Sequence, residues 1–198
     1  MMVAWAGFTG SYAADMYAPA QPVDRGSILV ASDALLDPRF ARSVVLITDY
    51  GVDGAVGVIL NRPTLIRVVD AIPVLDKLLH HPDKTMYFGG PVAPNTARVL
   101  IAAREALLGA TRIVDGVYGM DRMSVLLPYF EEGAFAPRTR FYGGYAGWGA
   151  GQLQQEIQRG DWLVIEGDAT TIFSDTVDTL WKDLSARFSG LWVLLEAL

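Results

Sequence analysis

From Gly26 onward the apolar residues fall into short runs separated by Gly, Pro, Asn and Asp, and that punctuation predicts a chain built largely of strands. Residues 27–31 (SILVA), 43–48 (SVVLIT) and 55–60 (AVGVIL) read as buried strands rich in β-branched residues. The turn cluster 49–54 (DYGVDG) between the last two predicts a hairpin. Asn61-Arg62-Pro63 stops the third strand, since proline donates no amide and biases its predecessor away from helix. Val68, Val69, Ile72, Leu75, Leu78 and Leu79 recur at helical spacing, with Pro73 near a start or a kink. Further strands are expected at 86–88, 99–102, 111–114, 140–142 and 162–165, the fourth leading into a glycine-rich run at 143–151. Helices are expected at 123–130, 152–159 and after Asp175, where Val177, Leu180, Trp181, Leu184 and Phe188 form one apolar stripe.

Strands and helices mix without the regular alternation of a doubly wound fold, and the early hairpin points to antiparallel or mixed pairing, so the fold class is α+β. The chain has 198 residues, 52% of them hydrophobic, which suits one domain (residues 26–198) with a sizeable core. No stretch reaches the roughly 20 uninterrupted apolar residues of a transmembrane helix. Residues 1–25 differ from the rest as an N-terminal extension: 1–12 are apolar and small, and 17–22 have a linker composition. Ser11-Tyr12-Ala13-Ala14 before Asp15 has the small-residue pattern of a signal-peptidase site, yet a basic leader is missing and Gly7, Thr9 and Gly10 interrupt the apolar run. A signal-peptide remnant, a weakly lipid-facing segment and a disordered tail are all consistent with this, and location follows from the choice: cytoplasmic, or exported to the periplasm if the segment is a signal.

Charge narrows the partners. Sixteen basic against 22 acidic residues leave −6, and the basic residues are scattered singly, so direct nucleic-acid binding is not expected and a protein partner is. The absence of cysteine removes disulfides, thiolate nucleophiles and zinc–thiolate sites together. The two histidines, His80 and His81, are adjacent and point apart on helix or strand, so neither a metal nor a cofactor is expected.

Candidate chemistry gathers where strands end in Gly- or Pro-rich turns. These are Asn61-Arg62-Pro63, then Gly89-Gly90-Pro91, then 143–153 with Tyr145, Trp148, Gly149 and Gly151. The glycines allow positive φ and close backbone approach, Tyr145 and Trp148 bring broad amphipathic rings, and the amides near Gly151 could face an anion. The same features also serve simple turning and packing. The run lacks the spacing of a dinucleotide fingerprint and the Lys-Ser/Thr pair of a phosphate-binding loop. No nucleophile elbow and no metal-ligand spacing occurs, which leaves no catalytic residue to name. Glu156, Asp161 and Glu166 lie beside the run and read as solvated carboxylates at a helix end.

Taken in order, Gly26-Ser27-Ile28-Leu29-Val30-Ala31, Asp37-Pro38-Arg39-Phe40-Ala41-Arg42-Ser43, Gly54-Ala55-Val56-Gly57, Asn61-Arg62-Pro63, Phe88-Gly89-Gly90-Pro91-Val92, Gly144-Tyr145-Ala146-Gly147-Trp148-Gly149 and Asp161-Trp162-Leu163 resemble the YqgE/AlgH family of bacterial proteins. The resemblance implies a mixed, largely antiparallel bifurcated sheet that forms a pseudo-barrel flanked by helices. It also implies a tie to transcriptional regulation, without an enzymatic activity or catalytic residues to carry over. The chain departs from the family pattern at Gln154, where an acidic residue is usual, at Asp49-Tyr50, which replaces a His-containing turn, and in its apolar end at 187–198. The function expected is therefore a non-catalytic regulatory or protein-interaction domain. The alternative is a small-molecule-binding or enzymatic domain whose pocket is formed near Arg62, Gly90 and Trp148.

Overall fold

The computed structural model describes residues 22–76, 84–122, 127 and 138–195, with side chains as far as 186. Ten strands run in the order β1 (Ser27–Ala31), β2 (Val44–Gly51), β3 (Gly54–Ile59), β4 (Pro63–Arg67), β5 (Thr85–Phe88), β6 (Val92–Ala102), β7 (Thr111–Val114), β8 (Val117–Met120), β9 (Thr139–Gly149) and β10 (Trp162–Glu166). The helices are α1 (Val68–Ala71), α2 (Gln152–Gln158), α3 (Ala169–Ile172) and α4 (Val177–Leu195), with a 3-10 turn at Pro73–Leu75.

Pairing is antiparallel everywhere except between β5 and β9. The main path reads β10-β1-β2-β3-β9-β6-β8-β7, with β4 and β5 leaving it at β9. The sheet therefore forks along β9: residues 146–149 pair with β3, and residues 142 and 143 pair with β5. This is the mostly antiparallel, bifurcated, curled α+β sheet that the family resemblance implied, a half-barrel with a few helices.

The first two strands are buried on both faces, which is why they read as unbroken apolar runs rather than as an alternation. Ile28 and Val30, with Val44 and Leu46, enter one core that includes Ile172, Phe173, Leu180 and Leu184 of α3, α4 and their connection. Leu29 and Ala31, with Val45 and Ile47, enter a second core around Trp148 and Trp162. Each fully buried Leu, Ile or Val side chain contributes about 1.5–3 kcal/mol, so this two-sided packing makes β1 and β2 the anchor of the fold. α4 docks on β1 through the Trp181 indole, which donates to the Ala31 carbonyl at 2.7 Å.

The predicted hairpin is present, but β2 continues through Asp49 and Tyr50 to Gly51, leaving a two-residue turn at Val52-Asp53 and a register shift between Ile47 and Asp49. Four other differences stand out. The chain does not leave the sheet at Pro63, which instead begins edge strand β4. The expected helix over 68–79 shortens to α1 and the 3-10 turn, because Pro73 sits at the first position of that turn, while Leu78 and Leu79 lie outside the described residues. The glycine-rich run is strand for most of its length, since β9 extends to Gly149. Strand β8 and helix α3 were not foreseen. The helix expected at 123–130 lies outside the described residues apart from Leu127.

Candidate functional site

The glycines of the fork are there because no side chain fits. A Cβ on Gly90 (φ 150°) would stand 2.2 Å from the Tyr145 carbonyl carbon, and one on Gly144 (φ 72°) would stand 2.5 Å from the Gly90 carbonyl oxygen. Gly89 is equally confined, with the Gly144 carbonyl oxygen 2.3 Å from where its Cβ would be. Gly89 also stitches the two branches, its amide donating to Gly143 at 2.9 Å while its carbonyl accepts from Ile59 at 3.0 Å. Backbone lies against backbone here, and the branch point needs residues without Cβ.

Asn61 and Arg62 face the loop between β1 and β2. The Asn61 side-chain oxygen accepts from the Val44 amide at 2.9 Å, and its amide group donates to the Arg42 carbonyl at 3.0 Å. The Arg62 guanidinium donates to the carbonyls of Arg39 and Ala41, and its partial burial lowers its pKa from the ordinary arginine value. Asn61→Ala would strand the amide of fully buried Val44, so we expect a loss of about 2 kcal/mol in urea unfolding with the slope unchanged.

That loop carries Phe40 onto Trp148, ring centroids 6.2 Å apart and planes inclined at 30°, while Trp162 meets both rings edge-on at 6.0 Å. These rings line a cleft of about 590 Å³. Glu156, which also lines the cleft, fastens the two indoles: its Oε2 accepts from Trp148 Nε1 and from Trp162 Nε1, each at 2.8 Å, and its Oε1 accepts from Gln152 Nε2 at 2.9 Å. The rim charges are paired with one another, Arg39 with Asp37 and Arg159 with Asp161. The Asp37–Arg39 hydrogen bond holds the aspartate below the usual carboxylate range. At the mouth Leu36 is 95% exposed and Val92 38% exposed.

Of the residues singled out in the sequence, Trp148 lines this cleft. Arg62 and Gly90 do not: Arg62 acts on the loop bearing Phe40, and Gly90 precedes Pro91 and Val92, which do line it. Tyr145 lies under the Arg98 guanidinium at 4.4 Å. Gly149 donates its amide to Gln152 Oε1 at 3.1 Å. Gly151 takes φ 72° in open space ahead of α2. Reading Glu156 and Asp161 as solvated carboxylates needs correction, because Glu156 is held by three donors and Asp161 is only 9% exposed; Glu166 is exposed. Phe40 and Trp162 belong to the cleft and were not foreseen as site residues, since only the folded loop brings them to Trp148. Two departures from the family pattern touch each other, with Gln154 donating to the Tyr50 hydroxyl. Among the described residues no group of His, Asp or Glu is placed to hold a metal, and no helix is long and apolar enough to cross a membrane.

Comparison with known proteins agrees with this architecture. A family model described as AlgH-like matches residues 28–192. UPF0301 protein CT0663 of Chlorobaculum tepidum is 34% identical over 166 residues, covering 83% of this chain and 86% of that protein. A UPF0301 protein of Mycobacteroides abscessus is 35% identical over 179 residues, covering 87% and 83%. Among solved structures, the AlgH protein from Pseudomonas aeruginosa superposes with a TM-score of 0.67 at 25% identity over 88% of this chain and 93% of that one. Protein DIP2367 from Corynebacterium diphtheriae shares the fold, with a TM-score of 0.73 at 24% identity, over 85% and 89% of the two chains.

Proposed function

This chain belongs to the AlgH-like family, and from its aromatic cleft we propose that it is a non-catalytic binding domain that meets a protein partner through that cleft. The observation that carries this reading is the state of the polar groups. Both Glu156 oxygens already accept hydrogen bonds, both indole N–H groups are engaged, and the rim charges are paired, so among the described residues the cleft offers recognition surface and no unpaired base or nucleophile. The exposed Leu36 beside a rigid Trp and Phe floor is the make-up of a hot spot, where an apolar partner side chain gains burial without displacing paired charges. A regulatory role would then run through protein contact, consistent with the net charge of −6.

A photo-crosslinking residue at position 36, introduced in the native host, is expected to trap one discrete protein. The same label at Leu108, 87% exposed elsewhere, should trap none. The trapped protein, once purified, should bind the wild type and lose about tenfold or more in affinity for Leu36→Asp, whose exposed position leaves folding intact. Equal trapping from both positions, or unchanged affinity, would remove the proposal.

A second reading keeps the same cleft for a small molecule, since about 590 Å³ lies within the range of ligand pockets. A ligand that raises the melting temperature of the wild type but not of Leu36→Asp, in the absence of any crosslinked protein, would favour it. We further propose cytoplasmic action. Mass spectrometry of the native protein tests this, because clipping near Ala13 or Ala14 would assign it to an exported form.

A further inference from the structure

At the other end of β9 from Trp148, eight residues or up to about 26 Å of extended chain away, lies a pocket of about 340 Å³. Lys84, Arg138 and Arg140 line it, facing one carboxylate, Asp175. Three cations on one small concavity are unusual in a protein with a net charge of −6. None of the three takes part in an ion pair among the described residues, where the five pairs engage Arg25, Arg39, Arg67, Arg112 and Arg159. Lys84 reaches the two arginines from more than 50 residues earlier in the chain, because parallel pairing of β5 with β9 brings the start of one strand beside the start of the other.

Arg140 is 9% exposed, and its fixed position has a clear origin. It donates to the Ile172 carbonyl at 2.9 Å and to the Ser174 carbonyl, and its guanidinium lies 4.9 Å from the centre of the Tyr87 ring. Neutral carbonyls orient a guanidinium without cancelling its charge, and three of its five N–H groups remain beyond those two bonds. The Lys84 ammonium beside it is held below the ordinary lysine pKa by burial and by repulsion from Arg140, as befits two cations facing the same space. Between the two arginines, Thr139 is 3% exposed, and the alternation of the strand turns its side chain to the opposite face of β9. Convergent like charges repel one another unless an anion lies between them.

We propose that this pocket binds a small phosphate-bearing anion. Lys84, Arg138 and Arg140 neutralise its charge, and the Tyr87 ring forms a wall. Arginine in a fixed orientation suits the paired oxygens of a phosphate, and three cations match a group carrying two or more negative charges. A volume of about 340 Å³ is at the small end of ligand pockets and admits a phosphomonoester or a pyrophosphate, not a duplex. Asp175 on the rim favours a compact anion engaged by the cations over an extended polyanion.

The test uses the full chain and inorganic pyrophosphate, with citrate and potassium chloride at matched ionic strength as controls. Pyrophosphate at about 10 mM is expected to raise the melting temperature by about 4 °C if binding is millimolar, whereas both controls leave it unchanged. Phosphorus NMR of the same samples should show line broadening. Arg138→Ala, at an exposed position, is expected to weaken binding about tenfold, and Lys84→Gln should weaken it further. Arg112→Ala, which disrupts an exposed ion pair elsewhere, should change nothing. Should Lys84→Gln fail to fold, Arg138→Ala decides alone. An equal response to citrate or chloride would overturn the proposal, as would the absence of any response to pyrophosphate or binding that survives Arg138→Ala undiminished.

Discussion

Gly90→Ala and Gly144→Ala are each expected to lose more than about 4 kcal/mol and to accumulate as insoluble protein. At both positions a positive φ coincides with a lack of space. Gly90 would press its methyl to 2.2 Å from the Tyr145 carbonyl carbon, and Gly144 would press its own to 2.5 Å from the Gly90 oxygen. Backbone atoms of a paired strand cannot rotate aside as a flexible side chain can, so the only relief is separation of the branches at the fork. Separation would break the β5–β9 pairing, which sets the cation pocket at one end of β9 and supports the aromatic cleft at the other. Gly151→Ala is the control, since Gly151 has a similar φ of 72° but nothing within 4 Å of an added methyl. Its cost should be that of φ alone, about 1 kcal/mol. Soluble yield and urea midpoints of the three variants measure the difference. A soluble, two-state Gly144→Ala with a midpoint near that of Gly151→Ala would show that the fork is looser than its geometry.

Glu156→Ala is the second large effect, expected to cost about 3 kcal/mol and to change tryptophan emission even in the folded protein. Trp148 and Trp162 are 6% and 3% exposed, and each donates its indole N–H to the same Glu156 oxygen. Removing that oxygen leaves two buried donors unsatisfied at about 1–3 kcal/mol each, partly relieved by water entering from the cleft. Glu156→Gln keeps one acceptor oxygen in place and should lose about half as much. Urea unfolding followed by fluorescence and by circular dichroism distinguishes loss of stability from a local change around the rings. Wild-type stability in Glu156→Ala would mean that the carboxylate does not hold the indoles in solution.

Strands β1 to β3 were legible because their runs are apolar on both faces and their hairpin turn is marked by Asp53-Gly54. Strand β9 was only partly legible. Gly143, Gly144, Gly147 and Gly149 have the composition of a loop, and what keeps them in a sheet is pairing to β3, β5 and β6 from far along the chain. Asn61-Arg62-Pro63 was recognisable as a special segment, but not that its side chains bond to the backbone of 39–44. The cations of the second pocket had one local trace, the alternation Arg138-Thr139-Arg140, whose period of two puts both arginines on one face. Lys84 had none, being more than 50 residues earlier in the chain.

Local chemistry in the sequence thus determined the α+β class, the two-sided apolar strands and the hairpin. These depend on neighbours within a few residues: side-chain branching, proline's missing amide and the period of apolar positions. Tertiary structure alone decided that the sheet divides at β9, that Phe40, Trp148 and Trp162 close on one carboxylate, and that Lys84 joins Arg138 and Arg140. Those arrangements depend on strand partners dozens of residues apart, whose choice is set by which pairings together bury both faces of β1 and β2, a property of the whole chain that no local window contains.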